Sequence, residues 1–245
     1  MRTEIRCTVM QGIVFLAVFF VAYLIQGITG FAGNIIAMPV GMATLGMIET
    51  VCVLNFAGFF GCGVNALSSR KHINWREAVK IMAVMFPFML VGIWLDQVLS
   101  VEFLKPVYGA IVLAVGIRSL FAKRQRFYPE WALYVVLALA GLIQGMFVSG
   151  GAVLAIYCIQ KLRDKNEFRG TLSVIWTVLN FIYMGINLAQ GVYTQQMVPV
   201  LLATIPLSLL ASYLGVKILP RISQESFTRM TYVLLVVIGV LLLVL

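Results

Sequence analysis

The chain has 245 residues, of which 62% are hydrophobic and only 11% charged, with 18 Lys and Arg against 9 Asp and Glu and a single His. So few charges cannot cover the surface of a soluble domain, so the chain is expected to be an integral membrane protein whose neighbours are lipid. The net charge of +9 sits in short loops between apolar runs, which marks it as a topology signal and argues against nucleic-acid binding.

The first apolar segment is expected from Gly12 to Ile28. Arg2 and Arg6 ahead of it give the look of a secretory leader, but no small-x-small cleavage site is evident. The corresponding segment of the second half lies mid-chain, so the first is read as retained. Further segments run Gly33 to Gly46, Thr50 to Leu67, Ala78 to Leu95 and Leu104 to Phe121. The series then starts again with Ala132 to Val148, Gly150 to Ile159, Thr171 to Ala189, Met197 to Val216 and Phe227 to Leu245. They are continuously apolar without period-two alternation, which calls for helices and not a barrel. The fold class expected is an all-α polytopic membrane protein.

Glycines mark a repeat. Gln26-Gly27-Ile28-Thr29-Gly30-Phe31-Ala32-Gly33-Asn34 places three glycines at every third position, and Gln144-Gly145-Met146-Phe147-Val148-Ser149-Gly150-Gly151 follows it at a constant spacing of 118 residues, Gln26 to Gln144. Pro87 falls opposite Pro206, Tyr108 opposite Tyr232, and Glu49 opposite Glu167. The chain therefore reads as one integral membrane domain made of two transmembrane repeats, residues 1–125 and 126–245. Five segments per half is an odd number, so the two repeats are expected to have inverted topology. Loop charges agree: with the N-terminus outside, all basic residues but Arg2, Arg6 and Lys105 fall in inside loops, among them Arg70, Lys71, Arg118, Lys123, Arg124, Arg126, Lys161, Arg163, Lys165 and Arg169.

The second segment of each half, about 14 and about 10 residues, is shorter than the roughly 20 a span needs. The first two segments of each half are thus either full crossings or re-entrant, glycine-broken hairpins meeting near the midplane. Trp75, Trp94 and Trp131 fall where interfacial anchors belong.

Inverted repeats with interrupted helices suit a secondary transporter, whose substrate lies between the repeats. A broken helix exposes backbone N–H groups at the start of its second half and so attracts an anion without a fixed charge in lipid. The candidate binding residues are Gln26, Thr29, Gly30, Gly33 and Asn34 at the first break and Gln144, Ser149, Gly150 and Gly151 at the second. Asn55, Thr171 and Ser173, with Thr177 and Asn180, add donors from the third segments. The competing reading is that Gly27, Gly30, Gly33, Gly141 and Gly145 serve close helix packing alone.

Catalysis has little to work with. His72 stands beside Lys71 in a basic loop and reads as solvated, while Cys7, Cys52, Cys62 and Cys158 show no paired spacing and read as packed thiols. No cofactor or metal is implied. Glu49 and Glu167 read as caps of helix N-termini, with proton coupling as the alternative. The partners expected are a small anion, membrane lipid and a coupling ion, proton or sodium; oligomeric state is not readable.

The pattern Gly30-Phe31-Ala32-Gly33-Asn34 with Pro39, followed by Ser149-Gly150-Gly151 in a polytopic chain of this length, resembles the sulfite exporter TauE/SafE family, also called the toluene sulfonate uptake permease family. The resemblance implies an inner-membrane permease for sulfite, sulfonates or related organic acids. Ala32 and Asn34 replace glycines of the family pattern, and Tyr157 stands where a second proline would align with Pro39. A passive channel, a carrier for another small solute or cation, and a non-transporting scaffold are the other readings.

Overall fold

The computed structural model describes residues 2–96, 110, 113, 114, 117, 128–162 and 164–244. Among them are nine α-helices: α1 Arg2–Thr29, α2 Gly33–Leu45, α3 Met47–Ser68, α4 Trp75–Asp96, α5 Glu130–Phe147, α6 Gly151–Lys161, α7 Lys165–Ala189, α8 Val198–Ile218 and α9 Gln224–Val244. The expected segment Leu104 to Phe121, with Tyr108 and the charges Lys105, Arg118, Lys123, Arg124, Arg126 and Arg163, lies largely or wholly outside the described residues.

Six of these elements are long and apolar enough to cross a membrane: α1 from Gly12, α3, α4, α5, α7, and α8 with its flanking turns. The helices α2 and α6, with 13 and 11 residues, are too short for roughly 30 Å of hydrocarbon. Each follows a sharp break. At the end of α1, Gly30 has φ +86°, and at the end of α5, Val148 has φ 50° and ψ 30°. Both are left-handed, and 118 residues separate them, the spacing of the sequence repeat. The first is easy for glycine. A β-branched side chain in that region stores strain, which the surrounding packing must hold.

Helix packing has the same two-fold pattern. The helix α1 lies along α2 and α8, and α5 lies along α6 and α4, so the first helix of each half packs on the fourth helix of the other. Small residues permit this. A Cβ on Gly215 of α8 would stand 2.5 Å from the Gly27 carbonyl carbon, and one on Gly145 of α5 would stand 2.1 Å from the Met89 carbonyl oxygen and 2.9 Å from Gly92 Cα. With no hydrophobic drive between helices in lipid, such close backbone approach is what joins them. At the centre, α3 packs against α7.

The start of α7 lies six residues before the expected apolar segment. Asp164 is its N-cap, accepting from the backbone N–H of Asn166 (2.9 Å) and of Glu167 (3.1 Å). Glu167 is therefore not the cap; its carboxylate accepts from Asn74 Nδ2 at 2.8 Å, tying α7 to the α3–α4 connection. Glu49 lies in the first turn of α3, behind the uncapped Gly46, where its charge suits the helix dipole. Trp75, Trp94 and Trp131 are all exposed near helix ends, as anchors at a membrane surface are.

Candidate functional site

The two breaks meet. A Cβ on Gly151, the first residue of α6, would stand 2.7 Å from the carbonyl oxygen of Phe31, so the two glycine-rich turns are in backbone contact. Asn34, in the first turn of α2, donates from Nδ2 to the Val148 carbonyl at 3.1 Å and accepts at Oδ1 from Tyr23 Oη at 2.8 Å. Neither short helix carries a side-chain cap, since Ala32 and Gly150 occupy the N-cap positions. Their first turns thus retain backbone N–H groups and the positive ends of two helix dipoles.

A small cavity lies between them, lined by Gln26, Phe31, Asn34, Gln144, Val148, Ser149, Gly151, Trp176 and Asn180. No charged side chain belongs to this lining. Its free space is about 10 Å³, the lower edge of what one water needs. That is too small for a polyatomic ion as the two turns stand.

Around the cavity the same bond is made twice. Gln26 Nε2 donates to Cys62 Sγ at 3.0 Å, and Gln144 Nε2 donates to Asn180 Oδ1 at 3.4 Å; donor and acceptor alike are shifted by 118 residues. Asn180 Oδ1 also accepts from Asn55 Nδ2 at 3.2 Å, which links α3 to α7. Gln144 Oε1 accepts from the Gly150 N–H at 3.2 Å. Each glutamine is thus held by its own half while its amide borders the cavity.

Of the residues singled out in the sequence, Gln26, Asn34, Gln144, Ser149 and Gly151 line the cavity. Gly33 lets Gln26 close in, since a Cβ there would stand 2.2 Å from Gln26 Oε1; Gly150 lets its turn close on α5, since a Cβ there would stand 2.2 Å from the Ala140 carbonyl oxygen and 3.1 Å from Gln144 Cβ. Gly30 forms the turn itself. Asn55 acts through Asn180. Thr29 is buried, and its hydroxyl donates to the Ile25 carbonyl at 2.8 Å. Thr171 lies elsewhere, its Oγ1 accepting from the Asn74 N–H at 3.0 Å. Ser173 is buried on α7 with no partner for its hydroxyl. Gly27, Gly141 and Gly145 serve the helix contacts instead.

The sequence reading missed Trp176, whose Nε1 is buried without a partner and whose ring lines the cavity. Its position, between Ser173 and Asn180 at helical spacing, was the available signal. It also counted Arg169 among the inside-loop charges. Arg169 is 4% exposed, inside the first turns of α7.

Residues 14–242 match the sulfite exporter TauE/SafE family. Among curated proteins, the chain is 25% identical over 172 residues to the "Probable inner membrane transporter protein TsaS" of Comamonas testosteroni, covering 69% of this chain and 72% of that one. It is 23% identical over 223 residues to the "Probable sulfite/organosulfonate exporter TauE" of Cupriavidus necator, covering 87% and 86%. No solved structure matches. A family match that runs from the first span into the last helix settles the class: the chain belongs to the sulfite exporter TauE/SafE family and is a multi-pass membrane transporter, not an enzyme.

Proposed function

We propose that the protein is a secondary transporter of a small sulfur-containing oxyanion, sulfite or an organosulfonate, held between the two glycine breaks and passed by alternating access. The observation that carries this reading is the cavity where the first turns of α2 and α6 converge with neutral donors and no fixed charge. Two dipole ends with Asn34, Trp176 and the glutamine amides suit a dispersed negative charge, which a lysine or arginine at the same place would trap. The names of the two relatives, an inner-membrane transporter and a sulfite/organosulfonate exporter, support the substrate class.

The repeats, residues 1–125 and 126–245, are the moving bodies of this mechanism, with inverted topology. Support comes from the matched breaks at Gly30 and Val148, the doubled glutamine bond, and the exchange of first and fourth helices between halves. The cavity has too little free space to hold the anion as it stands, so access requires one half to rock against the other.

Thermal unfolding of the detergent-solubilised protein against a panel of small anions tests the reading. Sulfite or a sulfonate should raise the midpoint by mass action, while chloride, acetate and cations should not. A shift confined to cations or neutral solutes would redirect the assignment to a different carrier.

A further inference from the structure

Polar groups without protein partners are concentrated on one seam of the molecule. Among the described residues, apart from Tyr193 and Ser212, every buried side-chain nitrogen or oxygen lacking a hydrogen bond belongs to Asn55, Asn65, Arg169, Ser173 or Trp176. These lie on α3 and α7, the two helices packed at the centre. On α7 the positions Arg169, Ser173 and Trp176 follow at helical spacing and share one face. Trp176 borders the central cavity, and Arg169 stands at the other end of the row, near the start of α7.

Arg169 is a buried cation with only neutral neighbours. One guanidinium nitrogen donates to the Gly27 carbonyl at 3.2 Å and the other to Ser69 Oγ, while Nε has no partner. No carboxylate among the described residues pairs with it. On α3, one turn before Ser69, Asn65 is fully buried with both side-chain atoms unpartnered. A buried charge needs compensation, and unmet donors on the same pair of helices add to the cost. At spacing 118 the first half offers Val51 in place of Arg169, so the guanidinium has no counterpart and belongs to one face of the membrane. That face carries the Lys161 to Arg169 basic stretch.

We infer that Arg169, Asn65, Ser69 and Ser173 form a second anion station, on the basic-loop side of the central cavity. A sulfur oxyanion occupies it on its way between the cavity and that face. The inference rests on the transport reading above. The oxyanion supplies what the seam lacks: negative charge for the guanidinium and acceptors for Arg169 Nε, Asn65 Nδ2 and the Ser173 hydroxyl.

The test is labelled sulfite flux through the full-length protein in proteoliposomes of known orientation, with half-saturation measured separately from each face. Arg169→Gln should raise it at the basic-loop face by roughly tenfold or more, the loss expected for a charge-assisted hydrogen bond. The opposite face should stay within about twofold, and Arg169→Lys should restore part of the loss. Asn65→Ala removes atoms that hold nothing in the fold, so it keeps the test decisive if Arg169→Gln does not purify as a monodisperse species. It too should weaken sulfite at the basic-loop face alone. Equal effects at both faces, or none at the basic-loop face in Asn65→Ala, would overturn the second station while leaving the transporter assignment intact. Failure of the unmodified protein to move sulfite or any sulfonate saturably would overturn both.

Discussion

Asn34 and Val148 join the two glycine breaks: the amide nitrogen of one donates to the backbone carbonyl of the other at 3.1 Å, across 114 residues of chain. The carbonyl it satisfies belongs to a residue held left-handed at the end of α5, so this bond fixes a strained turn from the opposite half. Asn34→Ala leaves that buried carbonyl unpaired and should cost about 1–3 kcal/mol of stability. Asn34→Asp keeps the volume but exchanges the donor for an acceptor, and sulfite half-saturation should rise roughly tenfold or more. Thermal unfolding and flux measured on the same preparations check both numbers.

Gly30 is the counterpart of Val148 and has no side chain to strain. Alanine there must adopt φ +86° and place a Cβ 3.3 Å from the Arg169 backbone. Gly30→Ala should therefore destabilise by about 1–2 kcal/mol, read as a lowered unfolding midpoint, with the Arg169 contact to Gly27 disturbed at the same time.

The glycines divide into two jobs, which single substitutions separate. Gly145→Ala drives a methyl into the Met89 carbonyl of a packed helix, a backbone clash that should cost about 1–3 kcal/mol or more and lower the yield of folded protein. Gly33→Ala meets Gln26 instead of a backbone, with Oε1 at 2.2 Å and Cβ and Cδ at 2.9 Å. It should cost less stability than Gly145→Ala, yet push the glutamine away from Cys62 and impair transport. Comparing monodisperse yield with flux for the two variants distinguishes packing from site.

Asn180 serves as acceptor for both Gln144 and Asn55. Asn180→Ala strips two buried donors of their partner and should cost about 2–4 kcal/mol, at about 1–2 each. Cys62, the corresponding residue of the first half, needs only to accept from Gln26. Cys62→Asn, which copies the second half, keeps an acceptor for Gln26 but buries an amide nitrogen without a partner at this fully buried position, and should cost about 1–3 kcal/mol. Unfolding midpoints of the two variants, with wild type as reference, check the pair.

Much of this was legible in the residues. The spacing of 118 located both breaks, and Gln26, Asn34, Gln144, Ser149 and Gly151 all reach the cavity because residue type and repeat pointed the same way. The hidden parts are those that residue type does not encode. Val148 contributes a carbonyl and a backbone conformation, and its side chain gives no hint of either. Trp176 read as one more apolar residue of a span. Arg169 looked like a loop charge because hydropathy begins at Thr171; the Asp164-x-x-Glu167 pattern, a helix-start signal, places it inside α7. Thr171 carried the right hydroxyl on the wrong face of that helix, which only the packing against the Asn74 turn decides.

The central claim is that the meeting point of the two breaks carries a sulfur oxyanion across the membrane. Counterflow of labelled sulfite into proteoliposomes preloaded with unlabelled sulfite tests it most directly, with wild type and Asn34→Asp side by side. The account predicts saturable, trans-stimulated uptake in the wild type and a half-saturation raised roughly tenfold or more in the variant. Linear, unstimulated flux in the wild type, or an unchanged half-saturation in the folded variant, would contradict it.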